Sequence, residues 1–172
     1  MSAPVPFPNC WWVTDSLLAG PAFFTGDLTT DVRSLAKLEA AGISTIVSLA
    51  SYADYYPDET EADIFAWAVV PRFIWFGFDI PIGTAPDKDT MLVILQWIDG
   101  GLLKDKKVYL HSGDGCGRAA SVVGCWLARH GIAVGTAALD HMAEQRVEAG
   151  LSELCAQSAP QIEAVTHWRM GR

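Results

Sequence analysis

The chain has 172 residues, 51% of them hydrophobic and 19% charged. That is enough apolar content for one packed domain and too little charge for bulk disorder. A formal net charge of −8 repels nucleic acid and anionic membranes, so any affinity for phosphate must be local. The N-terminus, MSAPVPFPNCWW, has no basic region followed by an apolar core, and no stretch reaches the length of a membrane span. A soluble, cytoplasmic protein is therefore expected.

In chain order, WWVTDSLLAGP reads as two short strands around a turn at Thr14 to Ser16. TTDVRSLAKLEAAG reads as a helix with Val32, Leu35 and Ala36 on one face and Gly42 as its C-cap. STIVSLA is a short apolar run rich in β-branched residues, the pattern of a buried strand. ETEADIFAWAV predicts a short helix, and RFIWFGFDIPI another strand, closed by Pro81. PDKDTMLVILQWIDGGLL predicts a helix capped by Asp87, with Met91, Ile94, Leu95, Ile98 and Leu102 on one face. KKVYLHS is a strand, AASVVGCWLARHG a helix ended by Gly131, and TAALDHMAEQRVEA and PQIEAVTHWRM two more helices. Strands alternating with helical patterns predict an α/β fold: one domain over 1–172, with a central, mostly parallel sheet flanked by helices.

The four cysteines, Cys10, Cys116, Cys125 and Cys155, form no CxxC pair and no zinc-ligand spacing with a histidine. Neither a metal nor another cofactor is expected, and a disulfide framework is not needed in a domain able to bury its own core. Cys125 falls in an apolar helical run and is expected to pack. The seven tryptophans are expected to be mostly core, Trp97 and Trp126 within amphipathic helices and Trp168 near the C-terminus.

The chemistry concentrates in VYLHSGDGCGRAAS, 108–121. A strand feeds a glycine-rich turn, which feeds a helix N-terminus. That layout gathers backbone N–H groups and adds the partial positive charge of the helix dipole. Gly113, Gly115 and Gly117 let the backbone curl, and Arg118 can offer a bidentate fork to two phosphate oxygens. The G-x-G-x-G spacing is neither a P-loop nor the dinucleotide fingerprint. The plain alternative is a tight strand-to-helix turn with Arg118 as a cap. The complete pattern, His111–Ser112 followed by five residues and Arg118, is much rarer than that and points to an oxyanion site.

On these residues the sequence resembles the cysteine-based protein tyrosine phosphatase superfamily, in its small dual-specificity-like and bacterial forms, whose signature is H-C-x5-R-[ST]. HSGDGCGRAAS carries the histidine as His111, the arginine as Arg118 and the loop glycines as Gly115 and Gly117. LLAGPAFFTGD is similar to the N-terminal entry segment of bacterial members, and VVGCWLARHGI to the helix after their loop. PQIEAVTHW is similar to their C-terminal pattern and puts Gln161 where they hold a water-orienting glutamine. The resemblance implies a phosphate loop made of Gly113, Asp114, Gly115, Cys116, Gly117 and Arg118, supported by His111. It implies a phosphocysteine intermediate in active members and a phosphorylated protein or small phosphate ester as ligand; the net charge of −8, separately, argues against a nucleic acid or membrane partner.

The chain departs from that family at the reactive positions. Ser112 stands at the nucleophile and Ala119 at the hydroxyl after the arginine. The family's I-P-D-x-x-x-P becomes Ile80, Pro81, Ile82 and Pro86, so the general acid aligns with Ile82. Asp79 is the best remaining acid, while Asp87 and Asp89 read as helix-start residues. A thiol ionises near a pKa of about 8.5, and lower in an electropositive loop, whereas a serine hydroxyl ionises far higher. Loss of the acid costs about two to four decades with poor leaving groups. Cys116, in the family's geometry, points away from the phosphorus. Asp114 should point outward, or else weaken anion binding. The sequence is compatible with an active phosphatase carrying an introduced Ser112, with a natural pseudophosphatase that binds phospho-ligands, and with an interaction domain whose loop is vestigial. Ile82 and Ala119 favour the second, because a substrate-trapping substitution would leave them unchanged.

Overall fold

The computed structural model describes residues 4–51, 71–153 and 156–171. Five strands and five helices alternate along it: β1 Trp11–Trp12, β2 Leu17–Pro21, α1 Leu28–Ala40, β3 Ile43–Ser48, β4 Ile74–Gly77, α2 Lys88–Gly101, β5 Lys107–Ser112, α3 Gly117–Arg129, α4 Thr136–Glu148 and α5 Ala159–His167. The sheet order is β1-β2-β5-β3-β4; only the β1–β2 pair is antiparallel. The mostly parallel α/β sheet expected from the alternation is therefore present. The helix expected over ETEADIFAWAV lies outside the described residues.

β5 is the central strand, hydrogen-bonded to β2 on one side and β3 on the other. Its side chains alternate between two cores, as the two-residue period requires. Val108 and Leu110 face the side holding Met91, Ile94, Leu95 and Ile98 of α2 and the buried length of α3. Tyr109 faces the side holding Leu35 and Leu38 of α1 with Phe23, Phe24 and Phe73. In α3 every residue from Ala119 to Ala128 is buried, Cys125 included. A Cβ on Gly124 would stand 2.6 Å from the Val165 methyls, so a glycine lets α5 close onto α3. The C-terminal end of β5 is thus held in the middle of the domain, as a loop needing fixed geometry requires.

Four local expectations change. In α1 the buried face is Asp31, Leu35 and Leu38; Ala36 is exposed and Val32 only half-buried. The cause is Asp31, whose carboxylate accepts the Thr25 N–H at 3.0 Å and hydroxyl at 2.7 Å and turns that edge inward. β4 is shorter than RFIWFGFDIPI: its pairing with β3 ends at Gly77, where Phe78 N–H still reaches Ser48 O at 2.8 Å. Leu102 ends α2 as its C-cap residue, with its side chain packed at the edge of the core. Trp97 is 44% exposed and stacks on Phe76 at 3.8 Å instead of entering the core. Cys10, Cys116 and Cys125 are free thiols. Among the described residues no helix is long and apolar enough to cross a membrane.

Candidate phosphate site

β5 ends at Ser112, whose register partner on β2 is Pro21. The turn that follows is tied to the β2 exit: Ala22 N–H reaches Ser112 O at 2.6 Å and Gly113 O at 3.1 Å. Gly115 N–H closes back on Ser112 O at 3.3 Å. Gly115 has a φ of +74°, and a Cβ there would lie 2.5 Å from Pro21 N and 2.8 Å from Gly20 O. Both the left-handed conformation and the close backbone therefore demand glycine. The N–H groups of Gly113, Asp114, Gly117 and Arg118 have no partner among the described residues. The last two open α3, where the helix dipole adds positive charge.

Arg118 is half-buried and positioned by backbone. Its Nη1 donates to Leu49 O at 2.9 Å and to Ile80 O at 2.7 Å, which come from the chain beyond β3 and beyond β4. Nε and Nη2 remain open to an anion among the described residues, with Nη2 3.1 Å from where a Gly113 Cβ would be. The guanidinium is thus fixed before any ligand arrives. Arg118 lines a pocket of about 360 Å³ with Gly113, Asp114 and Gly117. The opposite wall is Ile82, Gly83, Gln157, Ser158 and Gln161.

Ser112 is fully buried, and its Oγ accepts the Ala119 N–H at 3.3 Å. Asp114 is exposed, as expected, yet its Oδ1 accepts the Cys116 N–H at 3.0 Å and so occupies one loop amide. The Cys116 thiol is half-buried; burial raises its pKa, opposed by the Arg146 charge and hydrogen bond. Arg146 is itself buried, donates Nε–H to Ser152 O at 2.9 Å and lies over the Trp11 ring.

His111 is fully buried, and neither ring nitrogen has a hydrogen-bond partner among the described residues. Its ring packs among Phe23, Phe24, Trp75 and Tyr109. Burial, with the charge of Arg118 adding, holds its pKa down to about 3, so the imidazole is neutral. It reaches the loop through its backbone, where its carbonyl accepts Leu49 N–H at 2.8 Å.

The two remaining candidates are placed differently. Asp79 is exposed and forms no part of the pocket wall, whereas Ile82 does and is 87% exposed. Gln161 is buried beneath Gly117, with its side chain already engaged. Its Oε1 accepts the N–H groups of Gln157 and Ser158 at 3.1 Å, and its Nε2 donates to Thr84 O at 3.0 Å. It forms a capping box with Ser158, whose signature Ser158-Ala159-Pro160-Gln161 is legible in the sequence. That signature is a local signal for the cap, whereas the Leu49, Ile80 and Thr84 carbonyls leave no residue pattern, because any residue supplies a backbone acceptor.

Strand, glycine loop, helix and fixed arginine together define a member of the cysteine-based protein tyrosine phosphatase superfamily, of dual-specificity type. A family model described as "Polymorphic toxin system, DSP-PTPase phosphatase" matches residues 25–132, more than half of the chain, and the chain belongs to that family. No curated protein matches the sequence significantly. Among solved structures, Tk-PTP in its active form superposes with a TM-score of 0.67 at 22% identity, covering 92% of this chain and 95% of its own. Kinase-associated phosphatase with its catalytic-site cysteine replaced by serine gives 0.64 at 20% identity, over 87% of this chain and 82% of its own. PTPMT1 in complex with PI(5)P gives 0.64 at 15% identity, over 89% of each chain. At these identities the likeness is one of fold.

Proposed function

We propose that the domain binds phosphate monoesters in the Ser112–Arg118 loop and, with serine at 112, holds them without turnover. The observation that carries this reading is Arg118: two backbone carbonyls fix one nitrogen, the other two have no partner among the described residues, and the side chain lines a pocket together with Gly113, Asp114 and Gly117, whose amides are likewise unpartnered. The phosphate oxygens take the N–H groups of Gly113, Asp114, Gly117 and Arg118 and the guanidinium fork. Ser112 Oγ sits beneath the phosphorus, and Gly115 and Cys116 complete the turn. His111, packed and neutral, keeps the strand end in place.

Among the described residues, hydrolysis lacks an activated nucleophile and a proton donor. The attacking group at 112 is a hydroxyl, and no neutral imidazole nitrogen is directed at it as a base. The leaving alcohol needs a proton, and the pocket wall offers Ile82 there. Gln161 has one amide hydrogen left for a water, its other contacts being committed to the α5 cap and Thr84. A cysteine at 112 would accept the Ala119 N–H as a thiolate and attack phosphorus through a phosphocysteine intermediate. Ile82 and Ala119 favour a natural pseudophosphatase over a phosphatase with one altered residue. A phosphorylated protein or a small phosphate ester, in a cytoplasmic setting, fits the acidic surface better than a nucleic acid or a membrane.

Phosphate, vanadate or tungstate should raise the melting temperature by ligand linkage, and Arg118→Ala should remove the shift. Equal stabilisation of parent and variant would overturn the reading.

A further inference from the structure

The pocket holds one cation and one carboxylate. Among the described residues, Arg118 and Asp114 are the only charged side chains in its wall. The other candidates are elsewhere: Asp79 is exposed outside the pocket, Arg146 is buried behind Cys116, and His111 is buried and neutral. Asp114 is not a loose surface group. Its Oδ1 accepts the Cys116 N–H at 3.0 Å, which pins the carboxylate to the rim, and its Oδ2 has no partner among the described residues. A carboxylate at the lip of an anion site weakens the site for phosphate itself, so a use for it has to come from the rest of the ligand.

We propose that Asp114 is the specificity-determining residue of this pocket. It selects phosphate monoesters that carry a positive group close to the ester oxygen, and it discriminates against those that carry a second anion there. This rests on the phosphate-binding reading and adds the class of ligand. The phosphate engages Arg118 and the loop amides. An ammonium two carbons beyond the ester oxygen then meets a fixed carboxylate oxygen that lacks a partner among the described residues. A carboxylate or second phosphate at that place meets the same oxygen with no second cation in the wall to neutralise it. The pair faces solvent, so the effect is modest: about three- to tenfold in affinity at low salt, shrinking as salt is added.

Three ligands of nearly one shape test it: ethyl phosphate, phosphoethanolamine and phosphoglycolate, titrated calorimetrically alongside inorganic phosphate. The parent should rank them cation, neutral, anion, with about three- to tenfold per step. Asp114→Asn keeps an Oδ1 acceptor for the Cys116 N–H and removes only the charge, so the three should converge to within about twofold. Inorganic phosphate should bind that variant more tightly than the parent, because the repelling charge at the lip is gone. A pair of phosphopeptides with Lys or Glu beside the phosphorylated residue repeats the comparison. Whichever series binds more tightly identifies a protein or a small molecule as the source of the ligand. Equal affinities in the parent would overturn the proposal, as would a loss in Asp114→Asn common to all three ligands, the mark of a structural role. Failure of inorganic phosphate to bind the parent would instead remove the phosphate-site reading beneath it, and the proposal with it.

Discussion

Two glycines in the loop, two residues apart, should fail in opposite ways. Gly115→Ala puts a side chain at φ +74° and a Cβ 2.5 Å from Pro21 N, against backbone that β2 and β5 hold in register. The left-handed conformation costs about 1–2 kcal/mol and the overpacking about 1–3 kcal/mol more, so the total is about 2–5 kcal/mol. For a domain of this size that lowers the melting temperature by roughly 5–15 °C. Gly113→Ala has no positive φ to strain, and its Cβ would meet only the Arg118 Nη2, 3.1 Å away, the unanchored nitrogen of the guanidinium, which need shift only slightly. Stability should change by about 1 kcal/mol or less. Displacing the guanidinium should nevertheless weaken oxyanion binding about tenfold or more. Urea unfolding and calorimetric phosphate titration on both variants separate the two effects. If Gly115→Ala melts within 2 °C of the parent (about 1 kcal/mol or less), or if Gly113→Ala binds phosphate normally, the loop geometry described here is wrong.

The chemistry and its pH dependence give three further expectations. Ser112→Cys should produce measurable hydrolysis of an activated aryl phosphate, whose leaving group departs unprotonated. Adding Ile82→Asp should accelerate esters with poor leaving groups selectively, and equal acceleration of both substrate types would place the acid elsewhere. His111 is neutral in the fold, with a pKa of about 3, but takes a proton in the unfolded chain below about 6.5. Its contribution to stability is complete above that value and is lost as pH falls towards 3, by about 1.4 kcal/mol per pH unit. A His111→Leu variant should show a shallower acid limb in urea midpoints; superimposable profiles would contradict the burial argument. Cys116, its thiol raised chiefly by burial, should alkylate more slowly at neutral pH than a free thiol, whereas rapid, selective labelling would reopen it as a nucleophile.

The fold was legible because its signals are local. Strand-length apolar runs and a helical period are set within a few residues, and the strands and helices they mark are present wherever the structure describes them. Where the reading slipped, a tertiary partner decided. Asp31 is buried with Thr25, six residues earlier in the chain, supplying two donors to its carboxylate. A periodicity count places an aspartate outside by default. Trp97 faces out because Phe76, on a different element, gives it a ring to stack on. β4 ends at Gly77 because its neighbour β3 ends at Ser48.

The site divides along a similar line. Its covalent grammar, strand, glycines and arginine, is contiguous and could be read directly. What each side chain does depends on groups far away in sequence. Arg118 is oriented by carbonyls 38 and 69 residues distant, and Gln161 is bound to Thr84 across 77 residues. Binding an oxyanion needs the contiguous amides and a guanidinium held by two distant backbone carbonyls, which any residue can supply, and no proton changes place. Turnover needs particular side chains as well: a group poised to lose a proton at 112 and another poised to give one near 82. The two requirements rest on different residues, so the second can be lost while the first persists. Ile82 stands in the pocket wall, and Ala119 offers Ser112 a backbone N–H and no hydroxyl, so both departures fall on the groups that turnover needs and neither falls on Arg118 or the loop amides.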